Sequence, residues 1–172
     1  MASRALKSLG WSLFWMALLL ALDQASKAWV RVAVPLNDST PLIPHLINLT
    51  HVENRGVSFS FLAGLSDAVR LPLLLGISVV AVGALSWFWL RHRAGLGWFT
   101  DLAFVLILPG AVGNLIDRAV YGTVTDFFHF HFYDVSFFVN NVADILISAG
   151  VVAYCVGQVV AWWRRPQAPG GA

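Results

Sequence analysis

Asp126 and Asp144 are the two residues of this 172-residue chain best suited to acid–base chemistry. Asp144 is followed by nineteen uncharged residues through Trp163. A carboxylate at the mouth of so apolar a run needs a partner or a proton. Asp126 sits in Thr123-Val-Thr-Asp-Phe-Phe-His129, where an ordinary turn aspartate would also fit. Brought side by side in a partly dehydrated place, two such carboxylates cannot both ionise cheaply. One pKa rises and the pair shares a proton. The ionised member then takes a proton from water as the water attacks a carbonyl. The protonated member donates a hydrogen bond to the carbonyl oxygen and stabilises the oxyanion. That is the chemistry of an aspartic protease, and it requires no cofactor or metal.

Other polar residues cluster near these two. Asp23 and Lys27 are four apart, with Ser26 between them, a spacing that also suits a simple anchoring ion pair. Asn114, Asp117 and Arg118 share a helix face in Gly110-Ala-Val-Gly-Asn-Leu-Ile-Asp-Arg118. Gly110 and Gly113 would let a neighbouring helix approach closely, and the polar triplet could serve only to bond helices together. Asn140 and Asn141 precede Asp144, and either suits a helix N-cap.

The elements that must position these groups are membrane helices. The chain is 58% hydrophobic and 12% charged, about half the usual charged share. A net charge of +2 without a basic patch gives no footprint for nucleic acid. Four segments have the ~20 apolar residues a helix needs to cross a bilayer: about 9–30, 71–90, 96–118 and 139–163, the third interrupted by Pro109-Gly110. The expected fold is an all-α membrane protein with a small outer β-layer, in a single domain over 1–165, with 166–172 a disordered tail. Basic pairs at Arg4/Lys7, Arg91/Arg93 and Arg164/Arg165 place both termini in the cytoplasm. The first segment lacks a convincing small-x-small cleavage site, so it reads as a span rather than a removed leader. Outside lie residues 31–70 and 119–138. In the first, Leu46–Glu53 and Gly56–Leu62 read as strands joined at Asn54-Arg55. In the second, a loop, Thr123–Phe132 alternates enough to add a strand. Cys155, the single cysteine, lies in an apolar run and forms no internal disulfide.

Five pieces, in order, resemble the bacterial lipoprotein signal peptidases, also called signal peptidase II: Asp23-Gln-Ala-Ser-Lys27, Asn54-Arg-Gly-Val-Ser-Phe59, Gly110 to Arg118, Val124-Thr-Asp-Phe127 and Asn141-Val-Ala-Asp144. The resemblance runs from the first helix to the fourth. It implies cleavage of prolipoproteins just before a diacylglyceryl-modified cysteine, by a catalytic pair matching Asp126 and Asp144. It implies supporting roles for Asp23, Lys27, Asn54, Gly56, Asn114, Asp117, Arg118 and Asn141. Asn54 would bind substrate backbone, and Asn114 and Arg118 would order the acid pair and the substrate carbonyls. It also implies a short outer helix, for which Gly64–Arg70 is the nearest match. The implied setting is the bacterial inner membrane, with the site toward the outer face, lipid-modified prolipoproteins and phospholipid as partners, and a monomer. Ser58 and Asn140 depart from the usual pattern, and the insert His129-Phe-His-Phe-Tyr133 has no assigned role.

Three rival readings are weaker. A proton-coupled transporter would spread acids through the membrane depth, whereas here only Asp101 lies away from the cluster, and it has no role in this reading. His129 and His131 could ligate zinc on a strand, but no third ligand is evident. A non-enzymatic assembly factor would rest on the glycines alone.

Overall fold

The computed structural model describes residues 2–56 and 65–164. Four helices, α1 (Ala2–Ala33), α2 (Asp67–His92), α3 (Trp98–Tyr121) and α4 (Val142–Trp163), are each long and apolar enough to cross a membrane. Four strands, β1 (Ser39–Ile43), β2 (Ile47–Asn54), β3 (Val124–Phe132) and β4 (Val135–Asn140), form one antiparallel sheet in that order. A 3-10 turn, Arg93–Gly95, links α2 to α3.

Helix ends follow local chemistry. α1 runs on past Val30 to Ala33 and stops just before Pro35, because proline disfavours helical backbone in the residue preceding it. Pro109 does not break α3, although it removes one backbone donor; the helix is continuous across it. α3 ends on Gly122, whose φ of 77° is the left-handed cap glycine favours. α4 starts at Val142 rather than near Val139, because Val139 and Asn140 extend β4 and Asn141 takes the N-cap.

Among the described residues β2 pairs with β1 on one side and β3 on the other. The chain reverses between β1 and β2 through His45, whose φ is 65°. Gly56 is a bend rather than a strand residue, and residues 57–62 of the expected strand lie outside the described residues. The expected strand Thr123–Phe132 is β3, and the second outer segment is a β3–β4 hairpin rather than a loop. Asp67 to Arg70, the described part of the expected outer helix with a helical fold, form the first turn of α2. Residues 165–172, which include the expected tail, also lie outside the described residues.

Sheet and bundle meet at one end of α1, where Val30, Val34 and Phe127 form a buried cluster with Leu49, Phe128 and Val142 around it. That contact fixes β3 above the start of α4. α3 and α4 approach closely because Gly110 and Gly150 carry no side chain. A Cβ on Gly110 would lie 2.6 Å from the Ala143 carbonyl oxygen, and one on Gly150 would lie 2.9 Å from that of Ala103.

Candidate active site

Asp126 projects from β3 where β2 supplies Val52 opposite it. Asp144 is the third residue of α4 and is half-buried. Two asparagines tie them together. Asn141 Nδ2 donates to Asp126 Oδ1 at 2.6 Å, and Asn141 Oδ1 accepts the Asp144 amide at 3.0 Å. Asn114 Nδ2 donates to Asp144 Oδ1 at 2.8 Å, while Asn114 Oδ1 accepts from Asn141 Nδ2 at 3.3 Å. Asn54 Nδ2 donates to the second Asp126 oxygen at 2.9 Å.

An amide side chain can present either its oxygen or its nitrogen, so each asparagine needs something to fix its direction. Each has it. The Gly56 amide binds Asn54 Oδ1 at 2.8 Å, Lys27 Nζ binds Asn114 Oδ1 at 2.9 Å, and the Asp144 amide binds Asn141 Oδ1. With every oxygen occupied, all three NH2 groups aim at carboxylates. Gly56 can serve Asn54 this way because it adopts φ 80°, and a Cβ there would strike Leu74.

Under this layer lies a buried ionic one. Asp23, Lys27 and Asp117 have no solvent exposure. Lys27 Nζ is 3.0 Å from Asp23 and 3.5 Å from Asp117. Asp23 Oδ1 accepts the Ala143 amide at 2.8 Å, so α1 supplies a second cap to α4 beside Asn141. Asp117 Oδ2 accepts the Thr125 amide at 3.1 Å and so holds the residue preceding Asp126. Asp23 and Asp117 are thus braces, and neither touches Asp126 or Asp144.

Arg118 makes no hydrogen bond to either acid. Its Nε is buried without a partner. Asp126, 2% exposed, has its pKa raised to about 6. Burial is the main cause and the Asp144 charge adds to it. The donors Asn54 and Asn141 oppose it by favouring the ionised form. All ten residues expected from the sequence therefore fall in one place.

Three participants escaped the sequence reading. Arg31 pairs with Asp117 at 2.9 Å, donates to Thr125 Oγ1 at 2.8 Å and lies over the Tyr121 ring. Its signal was present, since Asp23, Lys27 and Arg31 repeat every four residues along α1. Gln24, on the same side of the helix, donates to Asp23, Asp117 and the Gly113 carbonyl. Thr125 carried no signal, because its part depends on the sheet register. His129 bonds Ser136 Oγ through Nε2, and His131 spends both ring nitrogens on the Tyr133 carbonyl and Asn48.

Residues 15–160 match the family model for signal peptidase (SPase) II. A lipoprotein signal peptidase of Bartonella henselae is 38% identical over 160 residues, covering 92% of this chain and 94% of the relative. One from Tolumonas auensis is 39% identical over 140 residues, covering 80% and 84%. Two solved structures described as a bacterial membrane enzyme superpose with TM-scores of 0.76 and 0.78 at 28% and 26% identity. They cover 91% and 94% of this chain, and 95% of each solved chain. With four membrane-length helices around a carboxylate cluster, this chain is a multi-pass membrane peptidase that belongs to the signal peptidase II family.

Proposed function

We propose that the protein is an intramembrane aspartic endopeptidase that removes signal peptides from diacylglyceryl-modified prolipoproteins. It cuts just before the lipidated cysteine, using water activated by Asp126 and Asp144. The observation that carries this reading is the bridge between the two carboxylates by linked asparagines: Asn141 Nδ2 donates to Asp126 at 2.6 Å and to Asn114 Oδ1 at 3.3 Å, and Asn114 Nδ2 donates to Asp144 at 2.8 Å. A lipid-anchored substrate must keep its acyl chains in the bilayer while its peptide bond is cut, so acids at one end of the spans suit it.

Asp126 carries the shared proton, because burial is the largest cause of its raised pKa. Asp144, in the first turn of α4 and bonded by Asn114, serves as the base. Asp144 takes a proton from the attacking water. Asp126 donates its proton in a hydrogen bond to the scissile carbonyl oxygen. The tetrahedral intermediate collapses as the amine leaves with a proton returned by the pair. Arg118, whose buried Nε is without a partner, binds a substrate carbonyl.

The basic pairs at Arg4/Lys7, Arg91/Arg93 and Arg164/Arg165 support cytoplasmic termini, an inner-membrane location and a site at the outer face. The enzyme works as a monomer, with membrane phospholipid around it. The test uses purified protein in lipid with a diacylglyceryl-modified prolipoprotein. Wild type should release the signal peptide, and Asp126→Asn and Asp144→Asn should release none while staying folded. Full turnover by either variant would overturn the proposal.

A further inference from the structure

Asp101 stands in the first turn of α3, thirteen residues before Asn114 and so about 20 Å away along the helix, at the bundle end opposite the acid pair. Its carboxylate accepts Trp89 Nε1 at 2.7 Å, and Trp89 is 2% exposed. That bond and the helix N-terminus help to tolerate the charge. They do not neutralise it, and among the described residues no ion pair to Asp101 occurs.

Asp101 lines a cleft of about 320 Å³ between α1 and α3. Around it stand Trp11, Trp15 and Trp98, the first two edge-to-face with ring centroids 5.6 Å apart. Farther along the same cleft the walls become Leu19 and Leu106. The two ends differ in chemistry: a carboxylate among indoles at the helix terminus, then aliphatic side chains toward the middle of the spans. Indole faces attract cations more strongly than other aromatic rings, and the half-buried Asp101 carboxylate beside them adds a charge complementary to a cation. The aliphatic end suits an acyl chain, and the cleft opens on the lipid-facing side of the helices, where Trp11 and Trp98 are 63% and 69% exposed.

We propose that the cleft between α1 and α3 binds a membrane phospholipid with a primary ammonium headgroup, the ammonium held between Asp101 and the indoles of Trp11, Trp15 and Trp98, and one acyl chain along Leu19 and Leu106. This gives Asp101 a role the peptidase chemistry does not supply, and it stands apart from the proposed cleavage reaction.

The test is native mass spectrometry of the full chain released from mixed vesicles of phosphatidylethanolamine, phosphatidylglycerol and N-acetylated phosphatidylethanolamine. Wild type should retain phosphatidylethanolamine about five- to tenfold over the other two, the range a cation–π contact with a carboxylate supports. Asp101→Asn keeps an acceptor for Trp89 but loses the charge, and should abolish the preference. Trp98→Leu, at an exposed position, should reduce it should Asp101→Asn fail to fold. Equal retention of the N-acetylated lipid, or an unchanged preference in a folded Asp101→Asn or Trp98→Leu protein, would overturn the proposal. A dimer lost on Trp11→Leu would show that a second copy covers the cleft instead, and would also overturn it.

Discussion

Asn141 donates to Asp126 at 2.6 Å with one end of its side-chain amide and caps helix α4 with the other. One side chain therefore sets both the start of the helix that bears Asp144 and the distance from Asp144 to Asp126. The two tasks separate by substitution. Asn141→Ala should lose about 1 kcal/mol through the missing cap and most of the peptidase activity. Asn141→Ser keeps an N-cap oxygen but cannot reach Asp126. It should recover the unfolding temperature and not kcat/KM. Recovery of both by serine would show that Asn141 is only a cap.

Lys27 is buried between Asp23 and Asp117 and fixes the direction of Asn114. Removing one member of a buried ionic group leaves the others uncompensated, at a cost of about 3–5 kcal/mol. Lys27→Met should therefore unfold at much lower temperature in detergent and yield little protein in the membrane. Lys27→Arg retains the charge but not the size, and should fold better than Lys27→Met while still cleaving slowly, because the Asn114 amide is displaced. Thermal unfolding and cleavage measured together check both.

Gly113 faces α1 at the ionic layer, where an added Cβ would land on the Asp23 carboxylate. Gly113→Ala should push Asp23 off the Ala143 amide, costing about 1–3 kcal/mol as overpacking does, with loss of cleavage as α4 shifts. Gly83, in the middle of α2, has open space around its Cα. Gly83→Ala should leave cleavage unchanged and stabilise the helix by up to about 1 kcal/mol. Equal tolerance at the two positions would contradict the close α1–α3 approach.

The helices and the polar cluster were legible because membrane burial makes charge conspicuous: Asp23, Lys27, Asp117 and Asp144 stand out against apolar surroundings. Asn54 and Gly56 were legible only through resemblance, since an Asn-Arg-Gly step also suits a plain turn. The sheet pairing was not legible. Ser39–Ile43 contains a proline and polar residues and has no buried face, so its strand character comes from pairing with β2 and not from its own pattern. The boundary between β4 and α4 was hidden for a related reason. Val139 suits either element, and only the capping bond of Asn141 decides it.

Asp126 offers a pH test of which acid carries the proton. Its pKa near 6 is raised chiefly by burial and held down by the Asn54 donor. As the proton carrier it is active when protonated, so kcat/KM of the free enzyme should fall as pH rises through that value. Asn54→Leu removes a donor that favours the ionised form, so the pKa must rise. The descending limb should then move to higher pH, by roughly one unit for a charge-assisted hydrogen bond, at a lower overall rate because Asn54 borders the site. The profile of kcat/KM against pH for the two proteins reads this directly. A limb that ascends through pH 6, or one that moves down in Asn54→Leu, assigns the proton to Asp144 and the base to Asp126.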